Sequence, residues 1–263
     1  MLSKKIITSL LSSVMFLSLS VSAQDLDNSH RSKENIERDQ FRKPIETLSF
    51  FGVQPDDKVI EILPGGGWYT EILSPYLSSG QLVAVHYPVD SDVEYRKRSR
   101  MNYEKKLMEN SDLYNNVMIE DFNLSTSTPE GAKNADSVLV FRALHGLQTQ
   151  GKLASAFVQF NEMLKEGGKL GIVQHEAPEG YDVNFVASRG YLPKSHVISV
   201  AEAAGFRLLA ESYMHNNPND KIIQDNIKRG VWALPPSLAV DSLKEELSKV
   251  GESNRMTLIF EKM

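Results

Sequence analysis

Between Val59 and Leu73 the chain reads Val-Ile-Glu-Ile-Leu-Pro-Gly-Gly-Gly-Trp-Tyr-Thr-Glu-Ile-Leu, an apolar run, three consecutive glycines and then a helical pattern. Gly65, Gly66 and Gly67 lack Cβ atoms, so a ligand can approach the backbone closely there. The free N–H groups where a helix begins favour a negative or oxygen-rich group. Glu61, inside the apolar run, is placed to receive a hydrogen bond or a salt bridge, for instance from an ammonium group through water. Trp68 and Tyr69 suit either a ligand cavity or plain core. Further along, His145 follows one apolar run and His175-Glu176 follow another. A neutral His at such a place suits a general base near pH 7, and equally a hydrogen-bonded structural role. The histidines lack the close i,i+4 pairing of convincing metal sites, so no metal is expected.

These groups need a frame. Lys58 to Leu63 reads as a buried strand, Pro64 to Gly67 as a turn and Trp68 to Leu77 as a helix, with Pro75 predicting a kink or an early end. Ahead of it, Ile36, Phe41, Ile45, Leu48 and Phe51 recur at helical spacing; Pro44 divides that stretch into two short helices and Gly52 stops the second. Gln81 to His86 is a second strand, Asp90 to Asn110 a charged helical segment, and Val117 to Ile119 a third strand running into Glu120-Asp121-Phe122. Asp136 to Phe141 is a fourth strand, Lys152 to Leu164 a helix ended by Gly167-Gly168, and Lys169 to Val173 a fifth strand. Strands alternating with helices predict a doubly wound α/β fold with a mostly parallel sheet. After a helix over Ser195 to Ala204, Phe206 to Ser212 and Met256 to Lys262 supply an antiparallel C-terminal edge pair, making seven strands. Residues 213–251, rich in Asn, Pro and charge, read as an insertion or lid with a short helix near Ser242 to Val250 and with Trp232, Pro235 and Pro236 as candidate lid residues. Ligands in such sheets bind at the carboxyl ends of strands, which puts His145 and His175 in one layer. His196 and His215 read as surface or helix-start residues.

The chain has 263 residues, 41% of them hydrophobic, enough for one large core. Its net charge is −5, and its densest basic run, Arg96 to Arg100, is short and followed by acids. That balance gives no electrostatic reason to bind nucleic acid. No cysteine is present, which excludes disulfides, thiolate metal sites and a Cys nucleophile. No Gly-x-Ser-x-Gly elbow and no Gly-Lys-Ser/Thr phosphate loop appear. Lys4-Lys5, the apolar run Ile6 to Val21 and the small residues Val21-Ser22-Ala23 have the layout of a secretory signal peptide, and the run is too short for a stable membrane span. The expected organisation is a signal peptide over 1–23, a polar, flexible leader over 24–34 and one domain over 35–263, exported most simply to a bacterial periplasm.

Glu61-x-x-x-Gly65-x-Gly67 resembles the first motif of class I S-adenosylmethionine-dependent methyltransferases, acidic-x-Gly-x-Gly-x-Gly, with Leu63 where the first glycine is usual. With Gly230-Val231-Trp232-Ala233-Leu234-Pro235-Pro236 and Gly251-Glu252-Ser253-Asn254-Arg255-Met256-Thr257-Leu258, the string is similar to a family of exported bacterial methyltransferases across nearly the whole mature chain. The resemblance implies a Rossmann-like methyltransferase fold and S-adenosylmethionine as cofactor. It implies that Leu63, Pro64 and Gly65 to Gly67 lie against the amino acid part of the cofactor, with Glu61 and Tyr69 nearby. The usual ribose-binding acid at the end of the second strand is replaced by His86, which leaves ribose recognition weakened or supplied by that His. Asp121 and Phe122 match the adenine-contacting position, and Arg142 the position facing the substrate.

The leading expectation is a methyltransferase for a small-molecule acceptor, with Arg142, His145 and His175 around the transferred methyl. Export away from the cytoplasm, where the cofactor is made, keeps a second reading open: a non-catalytic binding protein holding an adenosine-like or other small metabolite. A dinucleotide oxidoreductase fits the glycine spacing less well.

Overall fold

Apolar alternation along the strands and a few prolines and glycines decide where this chain turns. A computed structural model describes residues 28–220, 245 and 249–263. Three short helices come first, α1 (Lys33–Ile36), α2 (Asp39–Arg42) and α3 (Pro44–Phe51), where two were expected. The expected break is at Lys43, φ 40°, after which Pro44 opens α3 at a position where its missing N–H costs nothing; the extra break falls at Glu37 and Arg38, between α1 and α2. Residues 28–34, read as leader, pack onto the domain: Arg31 is buried and pairs with Asp39 at 2.7 Å, and His30 Nε2 meets the Glu71 carbonyl at 2.8 Å.

The alternating part follows as β1 (Lys58–Ile62), α4 (Thr70–Tyr76), β2 (Gln81–His86), α5 (Glu94–Glu109), β3 (Val117–Asp121) and β4 (Ala135–Phe141). It continues through α6 (Leu144–Thr149), α7 (Leu153–Met163), β5 (Leu164–Ala177), α8 (Val183–Ala187), the two-residue β6 (Leu192–Pro193), α9 (Lys194–Ala203), β7 (Phe206–Ser212) and β8 (Arg255–Lys262). α4 ends one residue after Pro75. The sheet runs β3-β2-β1-β4-β5-β8-β7, with β6 beside β5. The β1–β5 neighbours pair in parallel, and β8 runs antiparallel to both β5 and β7.

The doubly wound α/β sheet is therefore as expected, with three differences. β8 is an inner strand, so β7 alone forms that edge. β5 is longer than Lys169 to Val173: α7 stops at Met163, Leu164 already pairs with Ala135, and the register shift between Ala135 and Ser137 lets the strand continue over the Gly167-Gly168 pair. α6, α8 and β6 went unseen because elements this short carry too little periodicity.

Successive strand residues point to opposite faces. Ile60, Ile62, Val83, Val85, Val138 and Val140 pack with apolar residues of α6, α7 and α9, while Val59, Leu82, Leu139 and Val173 pack with those of α3 and α4. Both faces are covered, which is why the parallel strands read as nearly continuous apolar runs. The strand order reverses where β1 lies beside β4, and the crevice outside their carboxyl ends is where such sheets bind ligands. Residues 221–244 and 246–248, with Trp232, Pro235, Pro236 and most of the helix expected near Ser242 to Val250, lie outside the described residues. Among the described residues no helix is long and apolar enough to cross a membrane.

Candidate functional site

β1 and β4 are paired up to Ile62 and Val140, and each strand is followed shortly by a non-glycine residue in the left-handed region: Leu63 at φ 50° and Arg142 at φ 62°. Both still donate a ladder bond, Leu63 N–H to the Val85 carbonyl and Arg142 N–H to the Val173 carbonyl, each at 2.9 Å. The backbone then swings away, and the two turns open the crevice. Left-handed backbone costs a residue with a Cβ about 1–2 kcal/mol, and such strain collects at functional sites. Leu63 thus adopts a left-handed conformation that favours glycine.

Beyond it, a Cβ on Gly65 or Gly66 would meet no atom within 4 Å, whereas one on Gly67 would come within 3.0 Å of the Tyr103 ring. Gly65 and Gly66 present bare backbone to open space, and Gly67 lets α5 approach. Two further side chains hold the turn. Tyr87 N–H donates to His86 Nδ1 at 2.7 Å, so the ring proton sits on Nε2, which meets the Gly65 carbonyl at 3.3 Å. Burial first, with Arg100 contributing, lowers the His86 pKa to about 4, so the ring is neutral and clasps the turn. From α5, Lys106 Nζ reaches the Gly66 and Gly67 carbonyls at 3.0 and 3.2 Å and also pairs with Glu71.

Glu61 lies beneath the turn, 2% exposed, and accepts from Thr70 Oγ1 at 2.7 Å, which in turn contacts Tyr103 Oη at 3.0 Å. Burial raises its pKa to about 7 against the opposing pull of Thr70 and Lys106. It is a carboxyl poised between its two forms and set under the glycines.

A cavity of about 550 Å³ opens above these residues, within the range of small-molecule sites. Glu61, Leu63, Pro64, Gly65, Gly66 and Tyr69 form its floor, and Arg142 and His145 stand on the β4 side. Trp68 and Tyr69 are both core and lining: Tyr69 stacks on Phe141 with centroids 3.4 Å apart, and Trp68 Nε1 donates to the Asn35 carbonyl at 3.1 Å. The far wall is cationic. Arg38, Arg42 and Arg255 line it, with Glu252 behind them as their shared partner. Arg42 also lies 4.5 Å above the Trp68 ring.

The histidines divide. His145 lines the cavity at the start of α6, and burial together with Arg142 lowers its pKa to about 4. It is neutral at pH 7 and accepts hydrogen bonds, but it is a weaker base than an unperturbed His. His175, expected beside it, is fully buried away from the cavity lining, with Nδ1 2.5 Å from Ser253 Oγ and its pKa held well below the ordinary value by burial and by Arg142. His215 is also internal, between the Arg42 carbonyl at 2.8 Å and Thr257 Oγ1 at 2.6 Å; His196 meets Gln148 at 2.9 Å.

At the end of β3, Asp121 pairs with Arg100 at 2.7 Å and does not reach the large cavity. Phe122 lines a second cavity of about 170 Å³, which shares Tyr87 with the first. The structure thus joins Glu61, Leu63 to Gly66, Tyr69, Arg142 and His145 around one space. It leaves His175 out and gives Gly67 and His86 to holding the turn. Sequence reasoning missed Arg38, Arg42, Lys106, Glu252 and Arg255. The i,i+4 spacing of Arg38 and Arg42 was a usable signal; Lys106 lay hidden in a uniformly charged helix.

No family model matches the chain, and no curated protein matches it. Solved structures do match in fold. An S-adenosylmethionine-dependent methyltransferase from Aquifex aeolicus is 13% identical, with 86% of this chain and 93% of that one covered and a TM-score of 0.56. The [4+2]-cyclase SpnF is 12% identical, with 84% and 80% covered and a TM-score of 0.58. The mitomycin 7-O-methyltransferase MmcR is 11% identical, with 88% of this chain and 54% of that one covered and a TM-score of 0.55. The chain has the Rossmann-like methyltransferase fold. A cyclase among these neighbours is a reminder that the fold alone does not set the reaction.

Proposed function

We propose that this chain is an S-adenosylmethionine-dependent methyltransferase acting on a small molecule. The observation that carries the reading is the bare backbone of Gly65 and Gly66, turned to the cavity above buried Glu61 at the crevice between β1 and β4. Leu63 to Gly66 would hold the amino acid end of the cofactor, with Glu61 beneath its ammonium group; Tyr87 and Phe122, on the smaller cavity, suit the adenine ring. When bound, the cofactor supplies an electrophilic methyl group on a sulfonium. The chain's own part is to position the acceptor and exclude water, the main source of rate in such a displacement. Tyr69 and Phe141 offer an apolar wall, and neutral His145, whose Nδ1 accepts from Gln174 Nε2 at 3.5 Å, keeps its ring proton on Nε2 and donates a hydrogen bond to the acceptor. With its depressed pKa, His145 orients more than it deprotonates, which favours an acceptor already acidic or nucleophilic.

One observation supports the second reading, a binding module. The two positions that would grip the ribose and the adenine both serve the protein itself, His86 on the Gly65 carbonyl and Asp121 on Arg100. Calorimetric titration of the mature protein separates the two. Micromolar binding of both S-adenosylmethionine and S-adenosylhomocysteine supports the enzyme. Adenosine binding as tightly as either supports the module, and silence of all three sinks the enzyme and favours a module for another small metabolite.

We also infer export, with residues 1–23 as the signal and the periplasm as the destination, in line with the narrower resemblance to exported methyltransferases. The layout of Lys4-Lys5, Ile6 to Val21 and Val21-Ser22-Ala23 supports it. N-terminal sequencing of chain released by osmotic shock should begin at Gln24; recovery of an intact Met1 from the cytosolic fraction alone overturns it.

A further inference from the structure

The larger cavity holds more positive charge than its carboxylates answer. Arg38, Arg42, Arg142 and Arg255 all line it. Glu252, 4% exposed, meets Arg38 at 2.6 Å, Arg42 at 3.1 Å and Arg255, so one carboxylate serves three guanidiniums. Glu61, the other acid on the wall, sits under the glycines and is engaged by Thr70. Arg142 makes no ion pair among the described residues; after burial, the like charges of Arg42 and Arg38 lower its pKa most, and only the phenols of Tyr191 and Tyr95 oppose them. Arg142 Nε, Arg255 Nε and Arg38 Nη2 are buried with no hydrogen-bond partner among the described residues.

Burial and like charge lower Arg42 only to about 9 and Arg142 only to about 10, so both stay charged at pH 7; Arg255 is lowered well below the ordinary value by the same causes and keeps its charge in the ion pair with Glu252. Burying an unanswered cation is costly unless an anion arrives. The planar fork of Arg matches the paired oxygens of a carboxylate or phosphate. Arg142 follows β4, and Arg255 opens β8 on the other side of β5, so the charge spans the sheet edge beyond β1 and its glycine turn. Phe141, Tyr69 and Val173 supply apolar surface next to it.

We propose that the methyl acceptor is a small organic acid whose carboxylate or phosphate is held by Arg142 and Arg255, with Arg38 and Arg42 completing the anion seat. The word acceptor rests on the methyltransferase reading; the anion seat does not. The probes are benzoate, inorganic phosphate and uncharged benzamide, titrated into the full mature chain with and without saturating S-adenosylhomocysteine. At least one oxyanion should bind at least tenfold more tightly than benzamide and raise the melting temperature. Arg142→Met should weaken that oxyanion at least tenfold and leave S-adenosylhomocysteine affinity within twofold. It should not lower the melting temperature, because it removes an unanswered buried charge. Arg142→Lys, which keeps charge but loses the fork, should fall between, and stands in if the Met variant does not fold. Equal binding of benzamide and the oxyanions overturns the proposal. So does an Arg142→Met effect as large on S-adenosylhomocysteine as on the oxyanion, since the guanidiniums would then serve the cofactor's own carboxylate. Oxyanion binding with S-adenosylhomocysteine silent would sink the methyltransferase reading and keep the anion seat; the reverse pattern would sink the seat alone.

Discussion

Arg42 and Glu252 meet across the interior of the chain, 210 positions apart, with Arg42 Nε 3.1 Å from each carboxylate oxygen. This contact ties α2 to the segment entering β8 and closes the cationic wall of the cavity. Arg38 and Arg255 converge on the same carboxylate, and both Arg42 and Arg255 are buried. Removing one partner of a buried ion pair typically costs about 3–5 kcal/mol, because the other charge stays buried and unanswered. Glu252→Gln should therefore lower unfolding free energy by that amount in urea titrations. Arg142→Met should leave it unchanged or higher. Equal losses in the two variants would mean that the wall is neutralised in some way other than through Glu252.

The glycines of the turn should separate binding from folding. Gly66 has no positive φ, and a side chain there meets open space, so Gly66→Val should fold with unchanged stability and lose S-adenosylhomocysteine binding by more than a hundredfold. Gly67 has φ 75° and lies against Tyr103, so Gly67→Ala should cost about 1–2 kcal/mol of stability from its left-handed backbone alone. Circular dichroism melts beside calorimetry check both. A Gly66→Val protein that still binds would place the ligand elsewhere in the molecule.

The glycine turn and the sheet were legible because each rests on local pattern. Leu82 to Val85 and Val138 to Val140 are unbroken apolar runs buried on both faces, Val59 to Leu63 is broken only by buried Glu61, and the glycines follow the latter after one proline. The cationic wall was not legible because its members come from α2, from the residue after β4 and from the entry to β8. Only the crossing of β5 with β8, at His175↔Arg255, brings Arg255 near the crevice. His175 misled for the same reason. It was expected just past a strand ending at Val173, but β5 runs on to Ala177, β8 pairs with that end and Ser253 covers the ring, and neither contact has a local sequence signal. His86 was read as a substitute for a ribose acid, whereas the Tyr87 N–H fixes its tautomer and aims it at the turn.

Glu61 makes the last prediction, on pH. Its folded pKa of about 7 lies above the reference value of 4.5, because burial penalises the carboxylate. Below pH 4.5 the group is protonated in both states and no penalty exists. As pH rises from 4.5 to 7 the unfolded chain gives up the proton first, so folding stability falls by roughly 3 kcal/mol and then levels. Five histidines have the opposite slope, the lowered His175 and His196 among them. His86, His145 and His215 are lowered to about 4 from 6.5, first by burial, so they lose stability as pH falls through that range. The wild-type profile mixes both slopes, and Glu61→Gln removes only one. The stability of Glu61→Gln minus that of wild type should therefore rise by roughly 3 kcal/mol between pH 4.5 and 8, whatever the histidines do. Urea titrations at five pH values across that span measure it. Parallel profiles would show that Glu61 titrates alike in the folded and unfolded chain, and that its partners offset burial in full.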